Sequence, residues 1–160
     1  MKTAKSKMIF KGKGYTGDEK DTIIRYFRNF QIDPNRIAFE RESPRRILLE
    51  SYHNVDIGLD PFPFNGATTT CEALWMGVPT ITLSGRSYVS RMSTAVLHGA
   101  SMGDWCAASE QEYLDIAVNQ ASNLSWLRSN RDNWRSRLQQ NPLGDAEDLM
   151  NHLGQLFYSL

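Results

Sequence analysis

The stretch from Asp60 to Pro79 constrains this chain more than any other part of it. Val55-Asp56-Ile57-Gly58-Leu59 precedes it, short, apolar and alternating, and reads as a buried strand. Thr80-Ile81-Thr82-Leu83 follows, β-branched and again strand-like. Between the two, Asn65-Gly66 makes a turn and Thr68 to Met76 reads as a short helix closed by Gly77, after which Pro79 forbids continuation. A strand, a glycine-containing loop, a helix N-terminus and a second strand describe a phosphate-binding site in an α/β fold. Thr68, Thr69 and Thr70 stand where the helix begins, so free backbone N–H groups and hydroxyls converge on one point. Thr69 followed three residues later by Glu72 is also a capping box, which helices carry with no ligand. Local pattern leaves both readings open.

The rest of the chain alternates. Lys7 to Phe10 is a strand, and Lys11-Gly12-Lys13-Gly14-Tyr15 matches neither glycine-rich phosphate signature, so it reads as a turn with a solvated basic face. Asp18 caps a helix to about Phe30 with Ile23, Ile24, Tyr26, Phe27 and Phe30 at helical spacing, while Arg25 and Arg28 face water. Asp33-Pro34-Asn35 turns into a strand over Arg36 to Glu40. Ser43-Pro44 opens a helix with a serine cap, and Leu48, Leu49 and Tyr52 supply its buried face. Arg45 and Arg46 lie in its first turn, unfavourable for cations unless an anion is near; a ligand or the carboxylates of Glu40 and Glu42 would serve.

Beyond Leu83, Ser84-Gly85-Arg86-Ser87-Tyr88 is a polar loop on the edge where open α/β sheets place ligands. Ser90 to about His98 is a helix, and Met102 to Ala107 a connector with a short strand. Residues 109–160 are closing helices: Ser109 to Gln120, Leu124 to Gln140 and Asp145 to Tyr158. The β-α-β-α-β-α-β-α order calls for a parallel sheet covered on both faces, in a single lobe over residues 1–160.

Composition removes several function classes. Lys+Arg and Asp+Glu are both 18, and that balance argues against nucleic-acid or membrane-surface binding. No apolar run approaches the roughly 18 residues of a membrane span, and the basic start lacks the apolar core of a secretory signal. Two cysteines make no disulfide scaffold, so the cytoplasm is the expected compartment. Cys71 and Cys106 lack zinc spacing, and His53, His98 and His152 form no cluster, so no metal is expected.

The segments Val55 to Gly66, Thr68 to Pro79, Thr82 to Gly85 and Ser90-Arg91, with their gaps in register, resemble the C-terminal catalytic lobe of the peptide O-linked N-acetylglucosaminyltransferases and their bacterial, tetratricopeptide-bearing relatives. Gln111-Glu112-Tyr113 and Leu124 to Arg137 resemble that family's closing helices. The resemblance implies a parallel-sheet, Rossmann-like lobe of a type-B glycosyltransferase that binds a nucleotide sugar, UDP-N-acetylglucosamine first, with neither cofactor nor metal. It implies a donor site of Ser43, Arg45, Asn65, Gly66, Thr68, Thr69, Thr70 and Glu72, in which Thr68 and Thr69 hold the diphosphate, Arg45 neutralises it, Glu72 accepts from the ribose hydroxyls and the backbone of Ser43 faces the base. N–H groups and a cation there would stabilise a diphosphate as it leaves.

Ala67 replaces a histidine of the animal members, Leu48 falls near a second ring, and Glu72 replaces an aspartate, so GDP-fucose, which some relatives use, stays open as donor. The family places another α/β lobe and tetratricopeptide repeats ahead of this one and acts on protein or peptide acceptors. The expectation is therefore one piece of a longer enzyme, with no catalytic residue of its own and no sugar transfer alone. A non-catalytic nucleotide-sugar sensor and a ligand-free remnant are the competing readings.

Overall fold

A computed structural model of the chain describes residues 6–159. They belong to two compact units, Met1–Leu48 and Leu49–Leu160.

In the first unit, β1 (Met8–Gly12) pairs in parallel with β2 (Ile37–Arg41), Met8 opposite Ile37 and Gly12 opposite Arg41. Lys11 and Gly12 belong to this ladder, so the strand runs further than the glycines suggest. The lysines are paired: Lys11 Nζ lies 2.9 Å from Glu40 and Lys13 Nζ 3.4 Å from Glu42. Between the strands runs α1 (Gly17–Asn29). Its start differs from the expected Asp18 cap. The Glu19 carboxylate accepts from Thr16 N at 2.7 Å and Thr16 Oγ1 at 3.0 Å, which moves the cap two residues back and leaves Asp18 inside the first turn, where a negative charge suits the helix dipole. Phe10 stacks on Phe39 at 5.5 Å and meets Phe27 edge-on at 6.1 Å. Tyr26 and Phe30 continue that chain of rings, Tyr26 edge-on to Phe27 at 6.3 Å, but remain 62% and 61% exposed.

α2 (Arg45–Ser51) starts one residue after the proline. The cap position passes to Pro44, which has no side-chain oxygen to offer, and the Oγ of Ser43 is buried with no hydrogen-bond partner. Ser43 is therefore not the cap that the Ser-Pro pair predicts.

In the second unit, β3 (Gly58–Leu59), β4 (Thr80–Leu83) and β5 (Cys106–Ala107) form a parallel sheet in that order. β3 is shorter than the expected Val55 to Leu59. The Val55 carbonyl is taken by Arg131, which withdraws it from the ladder, and the Asp56 side chain is held by Arg128. α3 (Thr68–Trp75) follows β3, and α4 (Met92–Gly99) follows β4. α5 (Glu110–Ala121) follows β5, its Ser109 accepting from Glu112 N at 3.2 Å.

The expected Leu124 to Gln140 helix is two helices, α6 (Leu124–Ser129) and α7 (Arg131–Gln139). They break at Asn130, whose side-chain amide donates to the Trp126 carbonyl at 2.9 Å and competes with the helix ladder. α8 (Ala146–Tyr158) is capped by Asp145 and has no buried residue.

The core of this unit lies under β4, where Leu74, Ile81 and Leu97 are fully buried beside Trp105 and Trp134. The two indoles meet edge-on at 5.7 Å. Burial of two indoles removes roughly 300–500 Å² from water, which makes this pair the anchor of the closing helices.

Candidate functional site

Three loops meet at the carboxyl edge of the second unit's sheet. The β3–α3 loop, residues 60–67, is held by a buried carboxylate. Asp60 is 5% exposed; its Oδ2 accepts from Asn65 Nδ2 at 2.7 Å and Thr82 Oγ1 at 2.6 Å, and its Oδ1 accepts from Gly66 N at 2.8 Å. Three donors on one carboxylate satisfy a charge that would otherwise be costly to bury. Asn65 N donates to the Val89 carbonyl at 3.0 Å and ties this loop to the β4–α4 loop. Tyr113 of α5 donates its hydroxyl to the Asp60 carbonyl at 3.1 Å, and burial, then Asp60, pushes that phenol well above its ordinary pKa.

The loop delivers the chain into α3 with an unusual start. Its N-cap is Ala67, at φ −132 and ψ −78, and no side chain caps the helix. The capping box predicted on Thr69 and Glu72 does not form, because the helix begins at Thr68 and Thr69 is already inside the first turn. Thr68 and Thr69 are exposed. A helix start with backbone N–H groups, hydroxyls and no side-chain cap is suited to an anion.

Gly66 lets the loop pack closely against the first turn of α3. A Cβ there would come within 2.6 Å of Thr69 Oγ1 and 2.8 Å of Thr70 Oγ1. Gly77, at φ +73, closes the helix as its place before Val78-Pro79 predicts.

The remaining expected residues separate by orientation. Thr70 is buried, its Oγ1 2.8 Å from Ser93 Oγ, and Ser93 Oγ donates to the Gly66 carbonyl at 2.8 Å. Asn65 is fully buried, its amide committed to Asp60 and Thr82. Both side chains shape the loop from inside. Glu72, one turn into α3, is half-buried. Ser43 and Arg45 belong to the α2 start; Ser43 is half-buried and Arg45 exposed. Sequence reasoning passed over two contributors: Tyr52, read as core, and Ser93, which lies in the α4 pattern without any local signal. Tyr52 donates its hydroxyl to the Thr69 carbonyl at 3.4 Å.

Beside the β3–α3 loop, a cleft of about 510 Å³ opens between Phe62 and Pro63, the Ser84 to Ser90 loop and the start of α5. Among the described residues, no group of three or more His, Cys, Asp or Glu side chains is placed to hold a metal ion, and no helix is long and apolar enough to cross a membrane.

A family model described as Glycosyl transferase family 41 matches residues 12–153, nearly the whole chain. The chain belongs to glycosyl transferase family 41. Among curated proteins it is 34% identical over 112 residues to a probable UDP-N-acetylglucosamine--peptide N-acetylglucosaminyltransferase SPINDLY of Hordeum vulgare, covering 70% of this chain and 12% of that protein. It is 28% identical over 152 residues to the UDP-N-acetylglucosamine--peptide N-acetylglucosaminyltransferase of Caenorhabditis elegans, covering 91% of this chain and 13% of the relative. Among solved structures, a mutant of the Thermobaculum terrenum O-GlcNAc transferase superposes with a TM-score of 0.77 at 22% identity, over 97% of this chain and 36% of that one. The fold is thus the α/β fold of a type-B glycosyltransferase. This family member spans only a small part of the length of the barley and nematode relatives, 12% and 13% respectively.

Proposed function

We propose that this family 41 chain binds the nucleotide-sugar donor of an inverting glycosyltransferase that acts on protein hydroxyls. The observation that carries the reading is the start of α3: a helix N-terminus with no side-chain cap, exposed Thr68 and Thr69, and Gly66 packed so closely under the Thr69 and Thr70 hydroxyls that a Cβ would clash with them. The diphosphate accepts from the first-turn N–H groups and the two hydroxyls, which gain strength as charge develops on the departing phosphate. Glu72 accepts from the ribose. Ser43 and Arg45 keep the roles that the family resemblance implies, at the base and the phosphates.

UDP-N-acetylglucosamine is the donor named by the relatives, which also name a peptide acceptor. Asp60 is the acid nearest the loop, and its oxygens are occupied by Asn65, Gly66 and Thr82. On this reading, which follows the family resemblance, transfer draws on further protein, and the chain by itself binds donor without turning it over.

A thermal-shift panel of UDP, GDP, UDP-N-acetylglucosamine and GDP-fucose tests the binding, since a ligand of the native state raises the melting temperature by mass action. A shift with one base and not the other assigns the donor. Labelled-sugar transfer to peptides by these 160 residues alone would contradict the reading of an incomplete catalytic unit.

A further inference from the structure

The cleft of about 510 Å³ stands at the carboxyl ends of β4 and β5, lined by Phe62 and Pro63 of the β3–α3 loop and by Ser84, Arg86 and Glu110. Its walls are tied down. The loop after β4 closes on itself: Gly85 N donates to the Ser90 carbonyl at 2.9 Å, Ser87 N donates to Ser90 Oγ at 3.0 Å, and a Cβ on Gly85 would collide with the Ser90 side chain. Ser84 N donates to the Ala107 carbonyl at 2.9 Å, which joins that loop to the end of β5. Phe62 meets Tyr113 edge-on at 5.6 Å, and the Tyr113 hydroxyl is committed to the Asp60 carbonyl.

Three side chains of this fixed rim are uncommitted. Arg86 and Glu110 are exposed and, among the described residues, take part in no hydrogen bond or ion pair. Phe62 is 43% exposed despite its contact with Tyr113. A guanidinium and a carboxylate at one cleft disfavour an anion and a cation alike, since either meets a like charge. They suit a neutral group rich in hydroxyls and amides, to which the guanidinium donates and from which the carboxylate accepts. The phenyl ring and Pro63 suit its C–H surface. The volume falls within the range of small-molecule sites, about 300–1,000 Å³.

One loop joins this cleft to the start of α3. Pro63 lines the cleft, and Gly66, three residues on, packs under the Thr69 and Thr70 hydroxyls. Asn65 N holds the same loop to the Val89 carbonyl at 3.0 Å. Three residues span at most about 11 Å, which brings the cleft within reach of a sugar carried on a diphosphate at that helix start.

We propose that this cleft receives the sugar of the nucleotide-sugar donor, with Phe62 against its C–H face and Arg86 and Glu110 on its hydroxyl or amide groups, so that these three residues set which sugar is accepted. This rests on the reading of α3 as the diphosphate site and adds the part of the donor beyond the phosphates.

The test compares Arg86→Ala, Glu110→Gln and Phe62→Leu with the parent chain, each titrated with UDP, UDP-N-acetylglucosamine, GDP and GDP-fucose. The quantity read is the affinity for a nucleotide sugar relative to its own nucleoside diphosphate, for the base that the parent takes. Arg86 and Glu110 have no partner within the described fold to lose, so their variants should melt close to the parent. Loss of one hydrogen bond to the sugar predicts roughly 3- to 10-fold weaker binding of the nucleotide sugar, with the nucleoside diphosphate within about two-fold of the parent. Phe62→Leu keeps apolar volume without the ring and should show the same selective loss. Equal loss for both ligands in Arg86→Ala would overturn the proposal and make Arg86 a counter-charge for the phosphates. Unchanged binding of the nucleotide sugar by Arg86→Ala would overturn it and leave the diphosphate site standing. A parent chain that binds neither nucleotide sugar nor nucleoside diphosphate would remove the donor site itself, and this inference with it.

Discussion

Asp60 and Asn65 face each other inside the β3–α3 loop, carboxylate to amide at 2.7 Å, with the Thr82 hydroxyl joining both. This contact turns the excursion between β3 and α3 into a rigid platform for the start of the helix. Asp60→Ala strands Gly66 N and Thr82 Oγ1 in a buried setting and leaves Asn65 Nδ2 with one bond fewer. Unsatisfied groups of this kind predict a loss of about 2–4 kcal/mol, read as a lower denaturant midpoint at unchanged slope. Tyr113→Phe removes one bond to the same residue's carbonyl and should cost about 1 kcal/mol.

Gly66→Ala places a methyl against Thr69 Oγ1 and Thr70 Oγ1. Thr69 is exposed and can turn aside, whereas Thr70 is buried and bonded to Ser93. The strain should cost about 1–3 kcal/mol, measured by chemical denaturation, and should weaken nucleotide binding further because the first turn of α3 has moved.

The Arg128 fork onto Asp56 makes part of the stability acid-sensitive. Hydrogen bonding to Arg128 holds the Asp56 carboxyl below its ordinary value of 3.8, against the opposing effect of partial burial. A folded-state pKa below the unfolded one gives stability that is present above the unfolded value and is lost as the pH falls through the folded one. Unfolding curves taken from about pH 6 downward should show Asp56→Asn losing less stability than the parent below about pH 4, since its share is already gone.

Local chemistry made α3 legible. Asn65-Gly66 before it, Gly77 after it and Pro79 beyond are all punctuation within a few residues, and the helix runs where they place it. What was illegible depends on distance along the chain. Thr82 lies 22 residues from Asp60, and Arg131 lies 76 from Val55; neither partnership leaves a local trace. The same long reach bears on β3, because the Val55 carbonyl is held by Arg131 of α7. Caps failed for a different reason: Ser43 and Asp18 are good capping residues, but each helix begins at a different position from the one they would cap. At the site, side-chain type named the right segment without separating its faces. Thr68 and Thr69 point outward, while Thr70 and Asn65 build the loop from within.

The central claim is that the start of α3 binds the diphosphate of a nucleotide sugar. Calorimetric titration of the chain with UDP and with GDP tests it most directly. Saturable heat at a single site with one of the two, reduced by Gly66→Ala, is the predicted result. No heat and no thermal shift with either nucleotide at concentrations on the order of millimolar, where even a binding free energy of about −4 kcal/mol would register, would contradict it.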